Sequence, residues 1–232
     1  MTAIAIAYRN GRMIADDVLP RTPVGKQAFE WLKHSLADGF TLPDTRVGRK
    51  SAPNRVEFSA SKETASTEDY ALDAPIPNAD IENAKGTPYD PVGQATENTT
   101  NLILLDREVR VSRIVFNEAN YVADNIERSA GSSDKWSHPD SNPLKSIMDA
   151  LDDCIMRPNI AVLGRSVSTA LRRHPKIVKA FNGNSGDEGL VPLGFLAELL
   201  ELDEIFVGES RLNVARPGQA VNLQRVWGKR AV

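Results

Sequence analysis

Apolar positions change their spacing partway along the chain. Up to about Pro91 they are scattered among turn formers, and only two short runs stand out. "AFEWLK" (Ala28 to Lys33) and "RVEFSA" (Arg55 to Ala60) predict strands, the second alternating in and out. Between them lies "HSLADGFTLPDTRVGRKSAPN", rich in Gly, Pro, Asp and Arg. The two runs read as an extended hairpin with little core of its own. A connection of that length within a compact domain points to function or to disorder.

Further on, the spacing becomes helical. In "ATENTTNLILLDREVRVSRIVF" (Ala95 to Phe116), Leu102, Leu105, Val109 and Phe116 recur at intervals that predict one buried helical face. Asp106 and Arg110 stand four apart, as an exposed ion pair would. This predicts the longest helix of the protein. In "NPLKSIMDALDDCIMRPN", Asn142 suits an N-cap and Pro143 the first helical position. Leu144, Ile147, Met148, Leu151, Cys154 and Ile155 then share a face, Cys154 sits in packing, and Pro158 stops the helix.

In "NIAVLGRSVSTALRRHPKIVKAF" (Asn159 to Phe181) the pattern gives a strand, a turn at Gly164 and a helix capped by Ser166 or Ser168. Val167, Ala170 and Leu171 pack inward, Pro175 breaks the helix, and Ile177, Val178 and Phe181 continue the core. After "NGNSGDEG", a helix begun by Pro192 leads to a strand at Glu204 to Val207. "QAVNLQRVWGKRAV" reads as a last strand. Alternating strands and helices here predict a compact α/β layer.

Composition changes this picture little, and charge changes it more. With 232 residues, 28 Lys+Arg and 31 Asp+Glu, the net charge of -3 argues against a dedicated DNA-binding domain. It leaves room for nonspecific contact through a local basic patch. The single cysteine excludes an internal disulfide framework. No apolar run approaches the roughly 18 residues of a membrane span, so no membrane partner is expected. Charge also separates locally. Arg46, Arg49, Lys50 and Arg55 form a basic cluster in the hairpin connection. The stretch after it carries Glu63, Glu68, Asp69, Asp73, Asp80, Glu82 and Asp90 against Lys62 and Lys85. Two solvated faces are one reading. The other is complementarity between copies, the loop of one resting on the acidic stretch of the next.

Catalytic motifs fail their tests. Gly164, alone before "RSVSTA", makes neither a dinucleotide fingerprint nor a P-loop. Arg165 and the free amides of a helix start offer an anion only a minimal hold. Ser185 lacks the glycine two residues after it that a nucleophile elbow requires. His34, His138 and His174 are not at metal-ligand spacing, and His174 suits a helix end. No cofactor, metal or catalytic residue is expected.

The residues do carry a resemblance. "IADDVLPRTPVGKQAFEWLK", "GRKSAPNRVEFSASKETASTEDYALDAPIP", "LILLDREVRVSRIVF", "DKWSHPDSNPLKSI", "RPNIAVLGRSVSTALRRHPKIVKAF" and "LAELLELDEIFVGES" together resemble tailed-bacteriophage major capsid proteins, in order over nearly the whole chain. The resemblance implies an α+β fold of the HK97 type. Residues 1–25 would be an N-terminal arm and 26–61 an extended E-loop lying across a neighbour. Residues 62–135 would be a peripheral domain with its spine helix at about 95–116, and 136–232 an α/β axial domain, with Trp136 and Pro139 pinning its entry loop. It also implies a homo-oligomer of pentamers and hexamers, closing an icosahedral shell around double-stranded DNA. A portal and a separate scaffolding protein would be partners, in the virion and, during assembly, in the host cytoplasm. Relatives usually continue beyond "VNLQRVWGKRAV", so the C-terminal part of the peripheral domain is expected to be missing here. The inter-subunit candidates are Arg46, Arg49, Lys50 and Arg55 against Glu63, Glu68, Asp69 and Asp73. An encapsulin-like shell around an enzyme cargo, a truncated relic that does not assemble, and a nucleotide-binding enzyme built on Gly164 and Arg165 stay open beside it.

Overall fold

Prolines and short polar side chains set most of the helix starts. The protein is described by a computed structural model covering residues 10–128, 131, 133–183 and 186–232. Ser185 and the first nine residues of the expected arm lie outside the described residues. The chain forms two compact units, Thr22–Ala71 and the remainder, Met1–Arg21 with Leu72–Val232.

The smaller unit is a ribbon. Strand β1 (Ala28–His34) pairs antiparallel with β2 (Ala60–Ser66), Ala28 opposite Ser66 and His34 opposite Ala60. The second strand therefore begins where the sequence pattern has it ending; the alternating run Arg55 to Ser59 is irregular backbone. Alternation at those positions meets no apolar layer, so nothing holds it in a ladder. A five-residue helix, α2 (Leu36–Phe40), follows β1 in the connection. No residue of this unit is buried, and Trp31, Leu32, Leu36, Phe40, Leu42 and Phe58 are exposed. A two-stranded ribbon without a core is marginal in water by itself.

In the larger unit, the short helix α1 (Ala15–Val18) precedes α3 (Asn78–Ala84) and the 25-residue α4 (Pro91–Val115). Asp90 caps α4 by accepting from the Val92 amide at 3.0 Å, and Pro91 takes the first turn. The helix thus starts one turn before the position the apolar spacing indicates, because its first turns are polar. Its buried face is also displaced. Glu108, Val111, Ser112 and Val115 are buried, whereas Leu102 is exposed and Leu105, Val109 and Phe116 are only half-buried. The expected Asp106–Arg110 pair forms, at 2.9 Å.

Helix α5 (Pro143–Asp153) carries the Asn142 cap and packs Leu144, Ile147, Met148 and Leu151 inward. It ends five residues before Pro158, so Cys154 is half-buried at the exit and Ile155 is exposed. Then come β3 (Ile160–Gly164), α6 (Arg165–Arg172), α7 (Pro175–Asn182), α8 (Leu193–Leu199) and β4 (Glu204–Gly208). Strands β3 and β4 pair in parallel, Ile160 opposite Glu204 and Gly164 opposite Gly208. Pro175 starts α7 instead of ending α6, as a proline at the first helical position can. No side chain caps α6, so Ser166 and Ser168 do not play that part; Phe181 is exposed and stacks edge-on with Phe195 at 4.8 Å. Strand β5 (Arg211–Asn213) and β6 (Leu223–Arg225) form a small antiparallel ladder.

The β3–β4 layer separates two cores. Leu163 and Ile205 point to one, with Leu171, Ile177, Val178 and Leu196 from α6, α7 and α8. Val162 and Phe206 point to the other, with Val111 and Val115 of α4, Ile14 and Ala15 of the N-terminal segment, and Trp227. Alternation along a strand puts neighbours on opposite faces, and here both faces are covered. The chain end closes the free edge of β3: Val232 exchanges backbone bonds with Val162, and Gly164 donates to Arg230.

Candidate functional site

The second core is organised around a charge. Glu108 lies on the α4 stripe one turn before Val111 and Ser112 and is fully buried. A buried carboxylate needs hydrogen bonds to every lone pair it can offer. Glu108 accepts from the backbone amides of Ile14 (3.0 and 3.1 Å) and Ala15 (2.8 Å), from Ser210 Oγ (3.1 Å) and from Trp227 Nε1 (2.6 Å). The amides belong to the first turn of α1, where helical N–H groups lack partners within the helix. One side chain thus clasps the N-terminal segment, the long helix, the β4–β5 junction and the chain end.

Two glycines let the chain end reach this place. A Cβ on Gly208 would stand 2.1 Å from the Trp227 ring, and one on Gly164 would stand 2.4 Å from the Gly228 carbonyl. Gly164 has φ −65° and ψ 143°, a conformation open to any residue. The requirement there is close approach, not the tight turn that the sequence pattern indicates. Phe116 packs edge-on against Trp227 at 5.9 Å, and Ser112 Oγ donates to the Val226 carbonyl at 3.0 Å.

A second tie holds the N-terminal segment. Arg107 donates to Asp16 at 2.6 Å and to the Leu19 carbonyl at 2.9 Å, and Arg21 also bonds Asp16, at 2.9 Å. The Arg21 hydrogen bond, opposed by burial and helped by Arg107, holds the Asp16 carboxyl below its ordinary 3.8. Stability from this group is then full above that value and lost as pH falls through the lower folded value. The difference in melting temperature between wild type and Asp16→Asn should be constant near neutral pH and shrink below about pH 3.8. A difference that persists in acid would contradict this assignment.

The sequence candidates fall elsewhere. Arg46, Arg49, Lys50 and Arg55 are all exposed in the β1–β2 connection. Glu63 is half-buried in β2 opposite Trp31; Glu68 and Asp69 follow β2, and Asp73 belongs to the larger unit. Within the smaller unit, among the described residues, no ion pair joins the four cations to Glu63, Glu68 or Asp69. Arg165 is engaged by Glu209 at 2.7 Å, so its guanidinium is committed within the chain. His174 is buried. Its Nδ1 accepts from the Lys176 amide and its Nε2 faces the His138 carbonyl at 3.0 Å and Ser141 Oγ at 3.1 Å. This imidazole caps the start of α7 and pins the preceding loop. Trp136 packs against the first core, whereas Pro139 is exposed. Among the described residues, no His, Cys, Asp and Glu group could hold a metal ion, and no helix is long and apolar enough to cross a membrane.

The second core of the larger unit ties distant stretches of chain together, and the smaller unit exposes apolar side chains. Comparison with known proteins shows what kind of protein carries these features. The family model for phage major capsid protein E matches residues 119–214. The chain is 66% identical over 231 residues to a major capsid protein of Pseudomonas phage JBD67, covering 100% of this chain and 74% of that relative. It is 25% identical over 216 residues to a major capsid protein of Burkholderia phage BcepMu, covering 90% and 68%. A phage-related protein from Bordetella bronchiseptica, known from its crystal structure, superposes with a TM-score of 0.67 at 25% identity, over 97% of this chain and 71% of that one. The chain belongs to the phage major capsid proteins, and its role is structural.

Proposed function

We propose that the chain builds the head of a tailed phage or prophage as an HK97-type subunit without catalytic activity. Residues 1–25 act as the arm, 26–61 as the E-loop, 62–135 as the peripheral domain and 136–232 as the axial domain. Pentamers and hexamers close an icosahedral shell around double-stranded DNA in the virion, after assembly in the host cytoplasm with a portal and a separate scaffolding protein. The observation that carries this reading is the ribbon of residues 22–71, which buries none of its residues yet exposes Trp31, Phe40 and Phe58. Such a segment gains stability by covering a neighbour, and weak contacts suffice when many repeat around a closed assembly.

Charge would set the register of that contact. Arg46, Arg49, Lys50 and Arg55 of one copy face Glu63, Glu68, Asp69 and Asp73 of another. Arg49→Glu with Arg55→Glu should abolish shell formation in electron microscopy while leaving helix content by circular dichroism unchanged. Shells of normal yield from this variant would sink the charge assignment.

A further inference from the structure

The last 23 residues, Ser210–Val232, contain Arg211, Arg216, Arg225, Lys229 and Arg230 and no acidic side chain. The rest of the chain is therefore acidic, and this segment is its opposite. In the β5–β6 ladder, Arg211 stands directly opposite Arg225. Like charges at facing positions of an antiparallel pair repel, with their Cβ atoms only about 5 Å apart. A chain relieves such a pair by setting a carboxylate beside it. Here the nearest acidic residue in sequence, Glu209, is held by Arg165. Among the described residues, Arg211, Arg216, Arg225 and Lys229 form no ion pair, and the three arginines are exposed.

The ribbon that carries them is firmly shaped. Asn10 grips β5 with both ends of its amide, donating to the Arg211 carbonyl and accepting from the Arg211 amide, each at 2.8 Å. Asn213 Oδ1 accepts from the Ala215 and Asn222 amides at 3.1 and 3.0 Å. At the tip, the Gln219 amide donates to the Arg216 carbonyl at 3.1 Å. Pro217 and Gly218 fill the middle of this turn, and Gly218 has φ +83°. That is a type II turn, whose third position favours glycine. Strand β5 ends at Asn213, and Arg216 lies beyond a bend at Ala215, at the start of this turn.

We infer that this ribbon is a docking surface for the phosphate backbone of a nucleic acid. A guanidinium fork matches phosphate oxygens, and two forks side by side turn the Arg211–Arg225 repulsion into a shared hold on an anion. A two-stranded ribbon also has the width to lie in the major groove of a duplex. Contacts to phosphate carry no sequence information, so binding is nonspecific, weak and dependent on salt. The inference deepens the capsid reading, because it names the surface that would meet enclosed DNA.

The test uses the full chain, a short labelled DNA duplex, a single strand of the same length and a peptide copying residues 63–73, titrated at graded salt. Wild type should bind duplex with a log–log salt slope of about −3 to −4. Arg211→Gln with Arg225→Gln should weaken binding at least 10-fold at low salt and reduce the slope by about 2. Its melting temperature should stay level or rise, since repulsion has been removed. Lys135→Gln with Lys179→Gln, two exposed cations elsewhere in the larger unit, should bind duplex as wild type does. Preference for the single strand would keep the phosphate surface and remove the groove. Absence of duplex binding by wild type, unchanged binding in the Arg211/Arg225 variant, or preference for the acidic peptide would each overturn the inference. Shell formation, followed separately by microscopy, reports on the capsid reading independently of these outcomes.

Discussion

Glu108→Ala is expected to destabilise the second core strongly. Four donors, the Ile14 and Ala15 amides, Ser210 Oγ and Trp227 Nε1, would lose their acceptor together. A buried donor left without an acceptor costs about 1–3 kcal/mol, so four together cost several kcal/mol. For a chain of this size, that lowers the melting temperature by on the order of 10 °C. Glu108→Gln separates charge from shape. It keeps the volume but swaps one oxygen for an NH2 group that faces other donors, at a cost of about 1–3 kcal/mol. The same residues carry the N-terminal segment, so proteolysis within residues 10–21 should accelerate in both variants. If Glu108→Ala melts within a degree or so of wild type, the clasp is not what holds this core.

The second large effect is expected at the seam between Gly208 and Trp227. Trp227→Ala removes the largest fully buried side chain of the protein and its bond to Glu108. A truncation of this kind costs about 3–5 kcal/mol. Gly208→Ala adds a single methyl group 2.1 Å from the indole, where no rotamer of the ring relieves the clash without moving the chain end. Overpacking of a closed core costs about 1–3 kcal/mol. The pair is diagnostic: the two changes share one contact, so the Gly208→Ala, Trp227→Ala double variant should lose less than the sum of the singles. Strict additivity by chemical denaturation would show that the two residues act apart.

Much of residues 136–232 was legible from local patterns. Asn142 and Pro143 announced α5, and the apolar run at Ile160 announced β3, because caps and strands draw on near neighbours. Glu108 was not legible. In "LLDREVRV" it stands among Asp106, Arg107 and Arg110 and looks like one more surface charge, while its partners lie 94, 102 and 119 residues away. Its spacing from Val111, Ser112 and Val115 was the available signal, one turn back along the buried face. Gly164 stands out in the sequence as a turn signal, but its role depends on Trp227 and Gly228, which arrive from the chain end. The ribbon strands drifted for a related reason. A segment without a core leaves the boundary of β2 to backbone pairing alone, and no apolar pattern marks where pairing begins.

We propose that the exposed ribbon completes itself on a second copy. A cryo-electron microscopy reconstruction of particles formed by the protein tests it most directly. The account predicts closed shells of pentamers and hexamers, with residues 26–61 of each copy lying across a neighbour and Arg49 within ion-pair reach of that neighbour's carboxylates. Monomers or amorphous aggregates alone, or shells in which the ribbon folds back on its own subunit, would contradict it.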